Sequence, residues 1–308
     1  DSSTSRGLGD VYKRQVEVAP NEINPQKLEA FLRGGVNRLS LGVQTLDPIF
    51  MKELGRKHDV TSALRAYKDV RSAGFENVNI DLLFGAPGQS LENWKDDLKK
   101  AVELDPNHIS TYCLTFEEDT ALYAKLAQGK ITLDSDREAA FYEFAWDYLP
   151  SAGLNQYEVS NYAKEGYHCR HNLNTWRMHD WIGYGPSASS QYKKVRWKNF
   201  ANIEQWAKPL LLSSSQEYEE HTKLSANELA RDAILFGLRM NDGINLSHIG
   251  EQFGIASDIF DGVHQFFELL EKEKLSDRKI DTHFLTAEGR IRCDAIAAEM
   301  PDLIGDCG

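Results

Sequence analysis

Between residues 16 and 115 the chain sets short apolar runs and stretches of helical period in strict alternation, and each apolar run leaves polar groups at its C-terminal end. The spacing predicts strands over 16–18, 38–43, 78–84 and 108–114 and helices over 25–34, 60–73 and 90–103. Gly34, Gly35 and Gly74 are placed to close helices, and Thr61 and Ser90 fit N-caps or first-turn positions. Near-continuously apolar strands joined by helices imply a parallel sheet covered on its outer face. In β/α folds, ligands are held at the C-terminal ends of such strands.

The 308 residues, 41% of them apolar, suffice for a packed core and more than one domain. A net charge of −12 argues against a nucleic-acid partner, which requires clustered Lys and Arg. No apolar stretch approaches the roughly 20 residues that span a bilayer, so no stable membrane insertion and a cytoplasmic location are expected. Cys113, Cys169, Cys293 and Cys307 are too scattered for a disulfide framework or for thiolates sharing one metal. Residues 1–15, rich in Ser, Gly and Arg and lacking a hydrophobic period, read as a non-native or disordered lead.

Past residue 120 the pattern predicts a helix over 135–150, a strand over 156–159 and an irregular, aromatic-rich region over 161–199. Ser213, Ser214 and Ser215 precede an acidic run and read as a linker. Helices over 225–240, 246–253 and 258–273, a strand over 279–285 and a last helix over 286–299 suggest a winged-helix-like module. Its acid at Glu268, Glu271, Glu273 and Asp277 favours packing or partner docking over DNA.

Glu17, Gln44, Arg56 and Asp81 fall at or just past the ends of consecutive predicted strands. In a β/α barrel they would gather at one mouth. Together they match a nucleoside bearing an amino-acid tail: a carboxylate accepts two ribose hydroxyls, an arginine pairs with a carboxylate, and a second acid takes an ammonium group. Each has a plainer alternative, such as a surface strand residue, a turn hydrogen bonder, a solvated helix-end charge or a strand-end acceptor.

The blocks Val16-Glu-Val-Ala-Pro20, Asn37-Arg-Leu-Ser-Leu-Gly-Val-Gln44, Gly55-Arg56-x-His58, Ile80-Asp-Leu-Leu-Phe-Gly-Ala-Pro-Gly-Gln89 and His108-Ile-Ser-x-Tyr112 resemble the oxygen-independent coproporphyrinogen III oxidase family of radical S-adenosylmethionine (SAM) proteins. Within it, Tyr157-Glu-Val-Ser-Asn-Tyr-Ala163 and Cys169-Arg-His-Asn-Leu173 with Trp176 resemble the HemW branch, the haem chaperones. The resemblance implies an α/β fold, a partial (β/α)6 radical SAM barrel lacking its first strands, with a mainly helical winged-helix-like C-terminal domain. It implies domains over 16–165, 166–215 (an irregular extension) and 216–308. It also implies that Glu17, Gln44, Arg56, Asp81 and Thr115 contact SAM.

The family's C-x-x-x-C-x-x-C loop, which holds a 4Fe–4S cluster, is not found in this chain. Cluster assembly and stand-alone activity are therefore not expected, and an open barrel would leave an unpaired edge at 16–18 and an uncovered apolar interior. His171, Asn172 and Trp176 are the haem or substrate candidates, although His171 and Asn172 suit a loop-tying role equally well. Two His and one Cys within four residues fit zinc poorly. The implied function is haem binding and transfer to apo-haemoproteins. The alternatives are oxidative decarboxylation of coproporphyrinogen III and a cluster-free nucleotide-binding protein.

Overall fold

The computed structural model describes residues 14–115, 121–129, 134–212 and 217–303. The chain divides into two compact units, Asp1–His168 and Cys169–Gly308. The first unit is built on a six-stranded sheet: β1 (Gln15–Val18), β2 (Arg38–Gln44), β3 (Asn77–Phe84) and β4 (His108–Cys113) run parallel. Then β5 (Asn155–Glu158) and β6 (Asn161–Ala163) extend it antiparallel, in the order β1-β2-β3-β4-β6-β5. Its helices are α1 (Pro25–Arg33), α2 (Pro48–Glu53), α3 (Val60–Ser72), α4 (Leu91–Glu103), α5 (Ala121–Ala127) and α6 (Ser135–Ser151).

Local chemistry starts these helices where the side chains can cap them. Asn24 accepts from the Lys27 amide ahead of α1, and Asp59 from the Ser62 amide ahead of α3. Ser90 and Asn93 form a reciprocal capping box at α4. The six-residue α2, started by Asp47 and Pro48, was not expected, because so short a segment carries less than two turns of period.

The ladder registers align side chains in rows. Val18, Leu41, Ile80, Ile109 and Tyr162 form one row, and all are buried in the core under the helices with Leu39, Val78, Trp94 and Phe141. The alternate row runs Glu17, Ser40, Asn79, His108, and the next runs Asp81, Ser110, Asn161, Glu158. The second face of the sheet is therefore polar. This corrects the expectation of an uncovered apolar interior: the strands read as near-continuous apolar runs because apolar residues flank small polar ones, yet the period of two holds along the ladders up to the register shifts between Leu41 and Gln44 and between Gln156 and Glu158. At the edge of the sheet, β1 pairs with β2.

In the second unit α7 (Arg170–Trp176) is followed by β7 (Ser189–Tyr192), β8 (Val195–Lys198), α8 (Ile203–Leu212) and β9 (Glu220–Lys223). These strands form an antiparallel sheet, β7-β8-β9, so the region expected to be irregular is ordered. The β8–β9 ladder crosses the boundary expected near 215, and the proposed serine linker lies outside the described residues. Next come α9 (Ala226–Arg239), β10 (Ile244–Asn245), α10 (Leu246–Phe253), α11 (Asp261–Lys272), β11 (Ser276–Lys279), β12 (Thr282–Leu285), α12 (Ala287–Ile291) and α13 (Cys293–Ala298). The single strand expected over 279–285 is instead the last residue of the first arm, the turn and the second arm of the β11–β12 hairpin, with Ile280 at φ 59° in the turn. An apolar residue at the tip disguised that reversal. Leu229, Ile234, Leu246, Val263, Phe267 and Ile296 centre this unit's own core.

Candidate functional site

Glu17, Gln44, Arg56 and Asp81 line one cavity of about 530 Å³ on the polar face, together with Asn21, Glu22, Ser40, Gly42, Lys57 and His58. That volume falls within the roughly 300–1,000 Å³ of small-molecule sites. Asp81 lies inside β3 rather than at its end, and is brought to the cavity by the outward turn of alternate residues. Its Oδ1 accepts from Asn79 Nδ2 at 2.7 Å and its Oδ2 from Ser40 Oγ at 3.0 Å. Burial pushes the Asp81 carboxyl up, and the hydrogen bonds from Asn79, Ser40 and Ser110 work against that, while the Glu17 charge adds to it.

Gln44 ends β2 in the left-handed region at φ 73°, a conformation costly for a residue with a side chain. Its carboxamide oxygen accepts from Arg56 Nη2 at 3.3 Å. A buried clamp immediately follows it. Asp97 on α4 accepts from Thr45 Oγ1 at 2.5 Å and from the Leu46 amide at 2.9 Å. Burial raises the Asp97 carboxyl to about 6. His58, also buried, hydrogen-bonds through Nε2 to the Val43 carbonyl at 3.3 Å, which ties the Arg56 loop to β2. Ser40, Gly42 and Asn79 escaped the sequence reading, although their alternate-residue spacing from Gln44 and Asp81 was the available signal.

Thr115 is exposed just past β4 and does not line this cavity. His171, Asn172 and Trp176 lie on α7 in the second unit, where His171 is exposed and Asn172 and Trp176 are half-buried. The His171 carbonyl accepts from Thr175 Oγ1 at 3.0 Å, and Trp176 lines a cavity of about 210 Å³ with His179, Met240 and His248. A larger groove of about 790 Å³ lies between α1 and α3 on the helix side, rimmed by Glu29, Arg65 and Asp69 and without the polar rows.

Cys113 ends β4, Cys169 caps α7 and Cys293 begins α13, while Cys307 lies outside the described residues. Among the described residues no three His, Cys, Asp or Glu side chains are grouped to hold a metal ion. Burial, with Glu138 beside it, pushes the Cys113 thiol up to about 12, the reverse of what a thiolate ligand needs. These cysteines do not fit a 4Fe–4S cluster. The carboxylates, carboxamide and guanidinium of the cavity do fit SAM, whose hydroxyl, ammonium and carboxylate groups they complement. No helix among the described residues is long and apolar enough to cross a membrane.

The sequence profile of the Radical SAM superfamily matches residues 9–101, a span that contains the whole cavity lining. "Heme chaperone HemW" of Bacillus subtilis is 30% identical over 284 residues, covering 92% of this chain and 74% of that protein. The chain belongs to the HemW/HemN-like radical SAM family. Two further members named "Heme chaperone HemW" are similar to it. That of Lactococcus lactis is 30% identical, covering 86% of this chain and 69% of that protein, and that of Escherichia coli is 40% identical, covering 56% and 45%. Among solved structures, the coproporphyrinogen III oxidase HemN of Escherichia coli superposes with a TM-score of 0.76 at 21% identity, over 97% of this chain and 74% of that one. At that identity the likeness is one of fold, and it places this chain's α/β sheet and helical second unit in the HemW/HemN-like architecture.

Proposed function

We propose that the protein is a haem chaperone of the radical SAM type, which binds SAM in the cavity of its first unit and haem on its second, and passes haem to apo-haemoproteins in the cytoplasm. The observation that carries the SAM half is the convergence of Glu17, Gln44, Arg56 and Asp81 on one cavity. In this reading Arg56, held by Gln44, pairs with the carboxylate of the amino-acid tail. Asp81 and Glu17 accept from the ammonium group and the ribose hydroxyls, and Lys57 and Asn21 close the rim. When bound, SAM supplies a sulfonium whose carbon–sulfur bond is open to one-electron cleavage. The chain's own residues bind and orient it.

The haem half is supported by the names of the relatives and by α7, where Trp176 offers an aromatic face and His171 an exposed imidazole. The likeness to the oxidase supports the second reading, decarboxylation, at the level of fold. Two assays separate them. Titration with hemin should give a Soret band that moves to apo-myoglobin on mixing, and His171→Ala with Trp176→Ala should weaken it. Carbon dioxide release from coproporphyrinogen III on addition of SAM and a reductant, without haem binding, would overturn the chaperone reading.

A further inference from the structure

A chain of hydrogen bonds runs from Asp81 and Ser40 on the cavity wall into the sheet. Asn79 Nδ2 donates to Asp81 Oδ1 at 2.7 Å and to Ser40 Oγ at 2.6 Å, and Ser40 Oγ donates onward to Asp81 Oδ2 at 3.0 Å. The carboxamide oxygen of Asn79 faces His108 Nδ1 at 2.6 Å and, more distantly, Ser110 Oγ at 3.3 Å, a hydroxyl that lies nearer Asn161 Oδ1 at 2.8 Å, and His108 Nε2 meets the Tyr157 hydroxyl at 2.8 Å. Asn79, Ser40 and His108 are 1%, 3% and 0% exposed, and Tyr157, 8% exposed, stacks its ring on His168 at 4.5 Å.

With Asp81 ionised and the His108 ring neutral, these contacts fit one arrangement of the protons. A carboxylate only accepts, so the amide nitrogen of Asn79 must face Asp81 and its oxygen must face His108. His108 Nδ1 therefore carries hydrogen. In the neutral ring Nε2 is then the acceptor, filled by the Tyr157 O–H. Every proton along Tyr157, His108, Asn79 and Ser40 points toward Asp81, the arrangement in which successive bonds polarise one another. With His108 in the other tautomer, Asn79 would turn its oxygen to Asp81 at 2.7 Å and repel it.

We propose that His108 is a positioning residue for the Asp81 carboxylate, acting through Asn79. Its Nδ1–H fixes the orientation of the Asn79 amide, and that amide aims both oxygens of Asp81 and keeps them charged at the cavity wall. The effect on ligand affinity rests on the SAM reading of the cavity. The effect on Asp81 itself does not.

Two isosteric replacements test this, because an asparagine amide overlays Nδ1 and a glutamine amide overlays Nε2. His108→Asn keeps the donor to Asn79, and His108→Gln removes it. Followed by the ¹³C shift of its side-chain carboxyl, Asp81 should titrate at higher pH in His108→Gln and as in wild type in His108→Asn. By ligand-observed NMR with SAM as the probe, His108→Gln should bind about fivefold more weakly and His108→Asn within about twofold. Equal behaviour of the two variants in the Asp81 titration overturns the proposal. If wild type takes up no SAM, the SAM reading fails while the Asp81 titration still decides the positioning role. A third measurement needs no variant to fold: ¹⁵N–¹H correlation of the wild-type imidazoles should show His108 protonated on Nδ1, and a ring protonated only on Nε2 overturns the proposal.

Discussion

Ile80 and Asp81 are neighbours in the chain and sit on opposite faces of the same strand, one fully buried among Leu41, Ile109 and Trp94, the other on a cavity wall beside Ser40 and Asn79. The helix-side face carries the burial that stabilises the unit, and the polar face is assembled from side chains that cost stability to hold in place. Strand geometry alone separates the two tasks, which makes them separable by mutation.

The largest expected effect belongs to the apolar face. Ile80→Ala leaves a cavity in the core and should cost about 2–5 kcal/mol by denaturant unfolding. The lining of the ligand cavity stays chemically unchanged. A loss below 1 kcal/mol would mean that the packing under the helices is not what holds this sheet.

Next comes the clamp behind Gln44. With the Asp97 carboxyl at about 6 in the fold, against an ordinary 3.8, the folded state holds more protons than the unfolded one between about pH 4 and pH 6. Stability from this group is present at the lower end of that window and is lost as pH rises through it, by roughly 3 kcal/mol. In Asp97→Asn the Leu46 amide keeps an acceptor and Thr45 Oγ1 gains a donor, so that share of the slope should vanish from stability measured across the window. An unchanged slope would assign the pH dependence elsewhere.

The polar face responds in the opposite sense. Asp81→Asn keeps the shape and removes a charge that burial disfavours, so stability should stay within about 1 kcal/mol of wild type. SAM affinity should fall roughly tenfold or more, because a charged acceptor is lost. If Asp81→Asn unfolds the protein and leaves affinity intact, the two faces do not divide the labour this way.

How much of this could be read in advance follows the same division. The four parallel strands and α1, α3 and α4 announced themselves by period and by their caps at Asn24, Asp59 and Ser90. Glu17, Gln44, Arg56 and Asp81 stood out because large polar groups in or just past apolar strand-like runs are conspicuous. Ser40 and Asn79 did not, since a small polar residue between branched apolar ones looks neutral until the registers set it beside a carboxylate. His108 was visible only as the first residue of a family-like block: its partners are 29 and 49 residues away in sequence. In the second unit, β7, β8 and β9 were hidden because their pairing is non-local and their composition is mixed.

The smallest expected effect tests how tightly the two faces are coupled through β2. A methyl group added at Gly42 would come within 2.8 Å of Gln44 Nε2, the far end of a flexible side chain, and would touch nothing else within 4 Å. The fold can absorb that by swinging Gln44 away, so Gly42→Ala should change stability by less than about 1 kcal/mol. The swing breaks the contact between Gln44 and Arg56 and leaves the guanidinium free to wander from the cavity. SAM affinity should then fall a few-fold, with the loss matched by Gln44→Ala and not added to it in the double variant, because both changes remove the same contact. Full additivity would show that Gly42 acts by crowding the cavity itself rather than through the Gln44 carboxamide.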